Sequence, residues 1–266
     1  MISASSDRVT DYQVEIFKKL KEFNIPVAIV FTKSDLANES GADAMVKRLY
    51  PQLNFEQSFN DKNNPPFFTS NISDEELSPI NLINWSIDQL PSVLKYAFVS
   101  SQVLNYEAKY KEGRNIILQH TTGNAAVAFT PIPFSDAPIL IASQVGMFAR
   151  IVKLYEVNSF DIKSFMGTTG TGLIISNFGK SAVASILKFI PGVGTIVGGI
   201  INASVASTIT FAMGTSLNVI LKKLFVDILN GDQNEVKSII EDFEFIFSEE
   251  FINQFNMKKN EKSTHL

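Results

Sequence analysis

The chain has 266 residues, a net charge of −4, and 45% apolar against 19% charged residues. This composition is typical of packed protein, and the length suffices for one large domain or two ordinary ones. The acidic balance argues against a nucleic-acid partner, whose phosphates would require a basic surface. The absence of cysteine excludes disulfides and thiolate metal sites and fits a reducing compartment. The two histidines, His120 and His265, are too far apart in sequence to favour a metal site or a catalytic triad.

Helices and strands alternate in the first third of the chain. Apolar residues recur at helical spacing over 11–23, and 27–31 is an unbroken apolar run, as expected for a strand covered on both faces of a parallel sheet. A short helix at 40–49, a strand at 67–69 and a helix at about 79–96 are predicted next. This alternation predicts an α/β domain over the first 96 residues.

The rest of the chain is predicted to be helical. Three stretches, 115–135, 164–179 and 189–221, carry no formal charge, and an amphipathic helix is predicted at 234–255. We therefore predict a hydrophobic helical domain over 97–255. A polar tail at 256–266 follows it.

The tetrapeptide Thr32-Lys33-Ser34-Asp35 stands directly after the first predicted strand, where open α/β sheets bind ligands. In P-loop GTPases, [Asn/Thr]-Lys-x-Asp at this position recognises guanine. Asp35 would accept hydrogen bonds from the ring N–H and the exocyclic amine of guanine, and the stem of Lys33 would lie along the purine face. The alternative is an ordinary polar turn after a strand.

A second base contact is predicted after the next strand, at Ser70 and Asn71. The GTPase family has a Ser-Ala loop there, whose backbone N–H reaches the guanine oxygen. Asn71 stands at the alanine position, which weakens the motif more than the mainly backbone contact. The alternative for Ser70 is a loop or helix-capping serine.

Two groups of residues resemble a known family. Residues 7–11, 25–27 and 32–35 are similar to the corresponding part of bacterial Era-like GTPases. Residues 129–138 and 144–147 resemble a hydrophobic domain of unknown function that is appended to some of these GTPases. The resemblance implies the C-terminal half of a P-loop GTPase-type parallel sheet followed by a hydrophobic helical domain. It also implies binding of GTP or GDP through guanine contacts, made by Thr32, Lys33, Asp35, Ser70 and Asn71.

The phosphate-binding and hydrolytic motifs of such a GTPase are not found. Gly-x-x-x-x-Gly-Lys-Ser/Thr, a switch threonine and Asp-x-x-Gly all precede the base-binding motif in the family. Gly179-Lys180-Ser181 is a false match, because the motif requires glycine or alanine where this chain has Ile174. No catalytic residue and no Mg²⁺ site is therefore assigned. Either an upstream segment, or a partner chain, or the hydrophobic domain itself would have to cover the open sheet.

The charge-free run 189–221 is long enough to cross a membrane, at about 1.5 Å of helix rise per residue against a bilayer core of about 30 Å. Gly194 and Gly198 form a Gly-x-x-x-Gly pattern, which permits close helix contact. The alternative is a soluble helical bundle, because Asn, Ser and Thr recur along the run.

Two functional hypotheses follow. The first is a GTP-binding protein that retains the guanine-recognition half and is coupled to a membrane-associated helical domain on the cytoplasmic side. Its partners would be guanine nucleotide and membrane lipids. The alternative is a non-nucleotide membrane or scaffold protein with a structural GTPase remnant. Because the hydrolytic motifs are missing, the chain is not expected to be an active enzyme by itself.

Overall fold

A computed structural model describes residues 2–3, 10–23, 26–36, 41–52, 66–70, 77–127, 136–155 and 203–263. The chain divides into two compact units, Met1–Pro91 and Ser92–Leu266. The first unit contains a short parallel sheet with helices, and the described part of the second is helical.

The first unit alternates strands with helices. In chain order its described elements are β1 (Ile2–Ser3), α1 (Asp11–Glu22), β2 (Ile29–Thr32), a 3-10 turn (Ser34–Leu36), α2 (Gly41–Gln52), β3 (Pro66–Thr69) and α3 (Ile80–Gln89). The strands are parallel in the order β1-β2-β3, with β2 and β3 paired along their whole length. The predicted helix at 11–23 and the two predicted strands are thereby confirmed.

Both faces of this sheet are covered, as the apolar run at 27–31 predicted. Phe31 stacks on Phe68 with ring centroids 5.3 Å apart, and both lie against α1 and α2. The buried cluster on this face consists of Val14, Ile29, Phe31, Met45, Val46, Leu49 and Tyr50. On the other face Phe67 contacts Trp85 of α3, with centroids 5.9 Å apart. Alternation of side chains along the strands produces this division.

The predicted helix at 79–96 is in fact two helices, so that prediction is wrong. Helix α3 ends at Gln89, and α4 (Ser92–Ser101) begins after Pro91. Proline disfavours helical geometry in the residue before it, and Leu90 is accordingly extended, with ψ of 140°.

The second unit is built around one long helix. Its described elements are α4, α5 (Tyr106–Val127), α6 (Asp136–Tyr155), α7 (Ala203–Asn230), α8 (Gln233–Glu241) and α9 (Phe243–Ser263). Helix α7 packs against α5, α6, α8 and α9, and α4 packs against α5 and α6. Buried side chains occur on all sides of α7, which is the pattern of a core helix.

A glycine allows α7 to approach its neighbours closely. A Cβ at Gly214 would lie 2.8 Å from Ile117 Cγ1 and 3.0 Å from Met147 Sδ. These are shorter than ordinary van der Waals contacts, so a larger residue would push α7 away from α5 and α6.

The prediction of one continuous helix at 234–255 is also wrong, because this segment forms two helices. A one-residue junction at Asp242 separates α8 from α9. The apolar spacing stays in phase across the junction, because Val236, Ile239, Phe243 and Phe247 are all buried. Periodicity alone therefore could not detect the break. Helix α9 continues to Ser263, through most of the segment predicted as a tail.

The predicted fold class is wrong as well. The strands contain only two, four and four residues, and the protein is mainly helical. It is not an incomplete P-loop GTPase-type sheet followed by a helical domain. The local alternation predicted parallel pairing correctly, but so short a βα pattern is not specific for one fold.

Candidate functional site

The residues predicted to bind guanine lie at the carboxyl end of the sheet. Thr32 ends β2, Lys33 follows with φ of 58°, and Asp35 lies in the 3-10 turn. Ser70 follows β3, which pairs in register with β2. The structure therefore brings these four residues to one edge of the sheet. Asn71 lies outside the described residues.

Internal hydrogen bonds hold this edge. Ser34 Oγ donates to Phe31 O at 2.9 Å, and Ser70 N donates to Leu77 O at 3.1 Å. The side chains of Lys33 and Asp35 are exposed. The edge is thus an open polar surface, and guanine binding by these residues stays a prediction.

The helical unit contains a buried lysine. Lys109 of α5 donates from Nζ to Ser100 O at 2.7 Å and to Leu154 O at 2.8 Å. These carbonyls lie at the C-terminal ends of α4 and α6, where helices lack internal donors. Nζ also lies 5.3 Å from the ring centroid of Phe225 on α7. One ammonium group therefore connects four helices.

Burial determines the charge state of this lysine. No carboxylate pairs with Lys109 in the described part of the chain, and desolvation lowers its pKa from the ordinary 10.5 to about 7. Removing the ammonium from water disfavours the charged form. The protonation state of Lys109 therefore changes near neutral pH.

A second buried group joins α5, α6 and α7. The hydroxyl of Tyr155 donates to Asn218 Oδ1 at 2.8 Å, and Asn218 Nδ2 donates to Tyr110 O at 3.0 Å. Burial, followed by the nearby Tyr110 and Glu107, raises the pKa of Tyr155, so its hydroxyl remains a donor. Gly113 makes room for the Asn218 amide, since a Cβ there would lie 2.6 Å from Asn218 Cγ.

Two lysines connect the C-terminal half of α7 to its neighbours. Lys222 pairs with Glu107 of α5 at 2.6 Å and lies 4.9 Å from the ring centroid of Tyr110. Lys223 pairs with Glu235 of α8 at 3.2 Å. These contacts mark the point where the charge-free run ends.

A polar group on α5 and α6 is more accessible. Arg150 Nη1 donates to Gln119 Oε1 at 3.3 Å and lies 3.5 Å from His120 Nε2. His120 Nδ1 lies 3.0 Å from Ser143 Oγ. The guanidinium also lies 5.8 Å from the ring centroid of Tyr96 on α4. Burial, and then the charge of Arg150, lowers the pKa of His120, which favours a neutral imidazole.

The sequence analysis gave no role to Lys109, Tyr155 or Asn218. One signal was available, because Lys109 is in helical phase with Gly113 and Ile116 on the inner face of α5. A lysine in a stretch rich in charges is nevertheless usually exposed. Among the described residues, no group of three or more His, Asp or Glu side chains is placed to hold a metal ion.

Helix α7 contains Ser207–Asn230, a stretch long and apolar enough to cross a membrane. Within the unit, however, 67% of the most apolar window of this stretch is buried. A core helix of a soluble protein passes the same test.

Comparison with known proteins finds a distant similarity to a membrane protein. The chain is 24% identical over 102 residues to Magnetosome membrane protein 22 of Magnetospirillum gryphiswaldense. The match covers 38% of this chain and 52% of that protein, so the chain spans about half of the length of the curated relative. No protein-family model matches the chain, and no solved structure matches it.

These findings overturn the proposed resemblance to Era-like GTPases. Neither the family models nor the solved structures connect the chain with a GTPase, and the fold is mainly helical. Classification as a P-loop NTPase-like protein of the GTPase family is therefore wrong, and none of these comparisons supports GTP binding. A tetrapeptide after a strand is short enough to occur in unrelated proteins. The similarity to a membrane protein and the apolar helix agree better with the membrane or scaffold hypothesis.

Proposed function

We propose that this chain is a membrane-associated scaffold whose helical unit contacts the membrane and thereby holds the smaller sheet unit at its surface. The observation that carries the proposal is the similarity to a magnetosome membrane protein. It is supported by a charge-free run at 189–221 that continues into α7. The absence of cysteine supports placing the protein on the cytoplasmic side, where thiols stay reduced.

Three polar residues of α7 within the charge-free run form hydrogen bonds inside the unit. Thr210 Oγ1 accepts a hydrogen bond from Gln144 Nε2 at 3.0 Å, and Ser216 Oγ donates to Ala212 O at 2.7 Å. The Asn218 amide accepts a hydrogen bond from the Tyr155 hydroxyl and donates one to Tyr110 O. Polar groups without internal partners are costly away from water. Because these three groups are satisfied within the unit, they do not oppose contact between this region and lipid.

The membrane-contacting part lies N-terminal to Lys222 in this proposal. Residues 189–202 of the charge-free run lie outside the described residues, and 203–221 belong to α7. The ion pairs of Lys222 with Glu107 and of Lys223 with Glu235 favour a polar environment for the C-terminal half of α7. An isolated charge within the apolar run should therefore weaken membrane association.

The test is fractionation of cells that express the full chain, followed by carbonate extraction of the membranes. We expect the wild type to remain with membranes. Val197→Lys should shift most of the protein into the soluble fraction, since a lysine inside an apolar span costs up to about 2.5–3.5 kcal/mol. The matched control is Val93→Lys, at a side chain 84% exposed on α4. Recovery of the wild type in the soluble fraction before extraction would refute the proposal.

A further inference from the structure

Arg150 is held in place by neutral groups. Its Nη1 contacts Gln119 and His120, its guanidinium faces the ring of Tyr96, and the Tyr96 hydroxyl donates to Arg150 O at 3.1 Å. Ring, amide and imidazole together orient the guanidinium without neutralising it. Orientation before binding reduces the entropy lost when a ligand is captured.

The other edge of the guanidinium remains available. In the described part of the structure, Nε and Nη2 contact no acceptor and no carboxylate pairs with Arg150. These two nitrogens form the planar fork that binds a phosphate through two parallel hydrogen bonds. The edge of Arg150 is therefore suited to an anion that comes from outside the chain.

A different cation, Lys109, bonds a carbonyl at the C-terminal end of α6. The C-terminal carbonyl of Leu154 is already bonded by Lys109. Lys153, one turn after Arg150 and exposed, adds a second positive charge on α6. Two positive charges thus lie one turn apart on α6, in a chain of net charge −4.

We propose that Arg150, assisted by Lys153, binds the phosphate of an anionic lipid headgroup at the membrane surface. This inference rests on the proposed function and identifies the lipid chemistry that it requires. A phosphodiester would accept two hydrogen bonds from Nε and Nη2. Gln119 and His120 would hold the guanidinium by Nη1, and Lys153 would contribute longer-range attraction.

The test measures binding of the purified full chain to vesicles of phosphatidylcholine alone and of phosphatidylcholine mixed with phosphatidylglycerol. Arg150→Gln removes the charge and the fork, whereas Arg150→Lys keeps the charge. The matched control is Arg114→Gln, the same change at an exposed arginine of α5. Thermal unfolding of each variant, followed by circular dichroism, checks that the helical unit is folded.

The wild type should bind the mixed vesicles more tightly than the neutral ones. Arg150→Gln should weaken binding to mixed vesicles by about fivefold to tenfold, with Arg150→Lys intermediate and Arg114→Gln within about twofold of the wild type. Binding to neutral vesicles should not change in any variant.

Three results would overturn the inference and leave the proposed function standing. Equal losses in Arg150→Gln and Arg114→Gln would mean that only overall charge matters. An unchanged Arg150→Gln would mean that Arg150 only packs against Tyr96, while the proposed membrane function would stand as long as the wild type binds vesicles. Binding of inorganic phosphate that depends on Arg150, without an effect on vesicle binding, would assign the site to a free phosphate. A wild type that binds neither kind of vesicle would refute the proposed function itself.

Discussion

Gly113→Ala should destabilise the helical unit by about 3 kcal/mol. A Cβ at this position would lie 2.6 Å from Asn218 Cγ and 2.8 Å from Asn218 Nδ2, so the amide must move. Its two hydrogen bonds, with Tyr155 and with Tyr110 O, would then be lost within the core. Each buried polar group left without a partner costs about 1–3 kcal/mol. The higher helix propensity of alanine relative to glycine offsets only about 1 kcal/mol of this cost.

The measurement is urea unfolding of the full chain, followed by helical circular dichroism, with thermal melts alongside. For a unit of this size, a loss of about 3 kcal/mol corresponds to a fall of about 6–12 °C in Tm. The matched control is Gly146→Ala on α6, where the nearest atom to a new Cβ is His120 Cε1 at 3.9 Å. That variant should be as stable as the wild type or slightly more stable.

A double variant tests the cause of the destabilisation. Gly113→Ala combined with Asn218→Ala removes the overlapping amide, so the two changes should cost less together than the sum of the single changes. The reasoning would be refuted if Gly113→Ala were as stable as Gly146→Ala. Strict additivity of the two single changes would likewise exclude the Asn218 amide as the source of the effect.

Two further predictions concern the buried polar groups. Because the pKa of Lys109 is lowered from 10.5 to about 7 in the folded chain, the unfolded chain binds one more proton between these pH values. Folding stability should therefore rise with pH over this range, by up to about 1.4 kcal/mol per unit. Lys109→Met should abolish that rise in urea unfolding at pH 7, 8 and 9, and equal slopes in both proteins would contradict the assignment. Tyr155→Phe should cost about 1–2 kcal/mol by leaving Asn218 Oδ1 without its donor, and an unchanged urea midpoint would show that this hydrogen bond is not formed.

The local elements of the sheet unit followed from the sequence because their signals are local. Helical spacing at 11–23 predicted α1, and the apolar run at 27–31 predicted β2 as a strand covered on both faces. Pro91 could have indicated the break between α3 and α4, but apolar spacing on both sides concealed it. Assignment to a GTPase family failed because it depended on a few short motifs, and a short motif does not specify a fold.

The polar groups of the helical unit could not be predicted in the same way. The hydrogen bond of Lys109 joins residues 45 apart in sequence, that of Tyr155 residues 63 apart, and that of Asn218 residues 108 apart. A lysine or asparagine on a helix is exposed unless distant residues enclose it and supply its partners. Sequence spacing cannot identify those partners, because they come from other helices.

The sequence by itself determined the helix and strand periodicities, the parallel pairing in the first unit, and a charge-free run compatible with lipid. Only the tertiary structure decided that α7 is enclosed by four helices, that Lys109 bonds the ends of two helices, and that Arg150 keeps one edge free. The physical reason is that periodicity depends on neighbours along the chain, whereas burial and hydrogen-bond partners depend on atoms that only folding brings together.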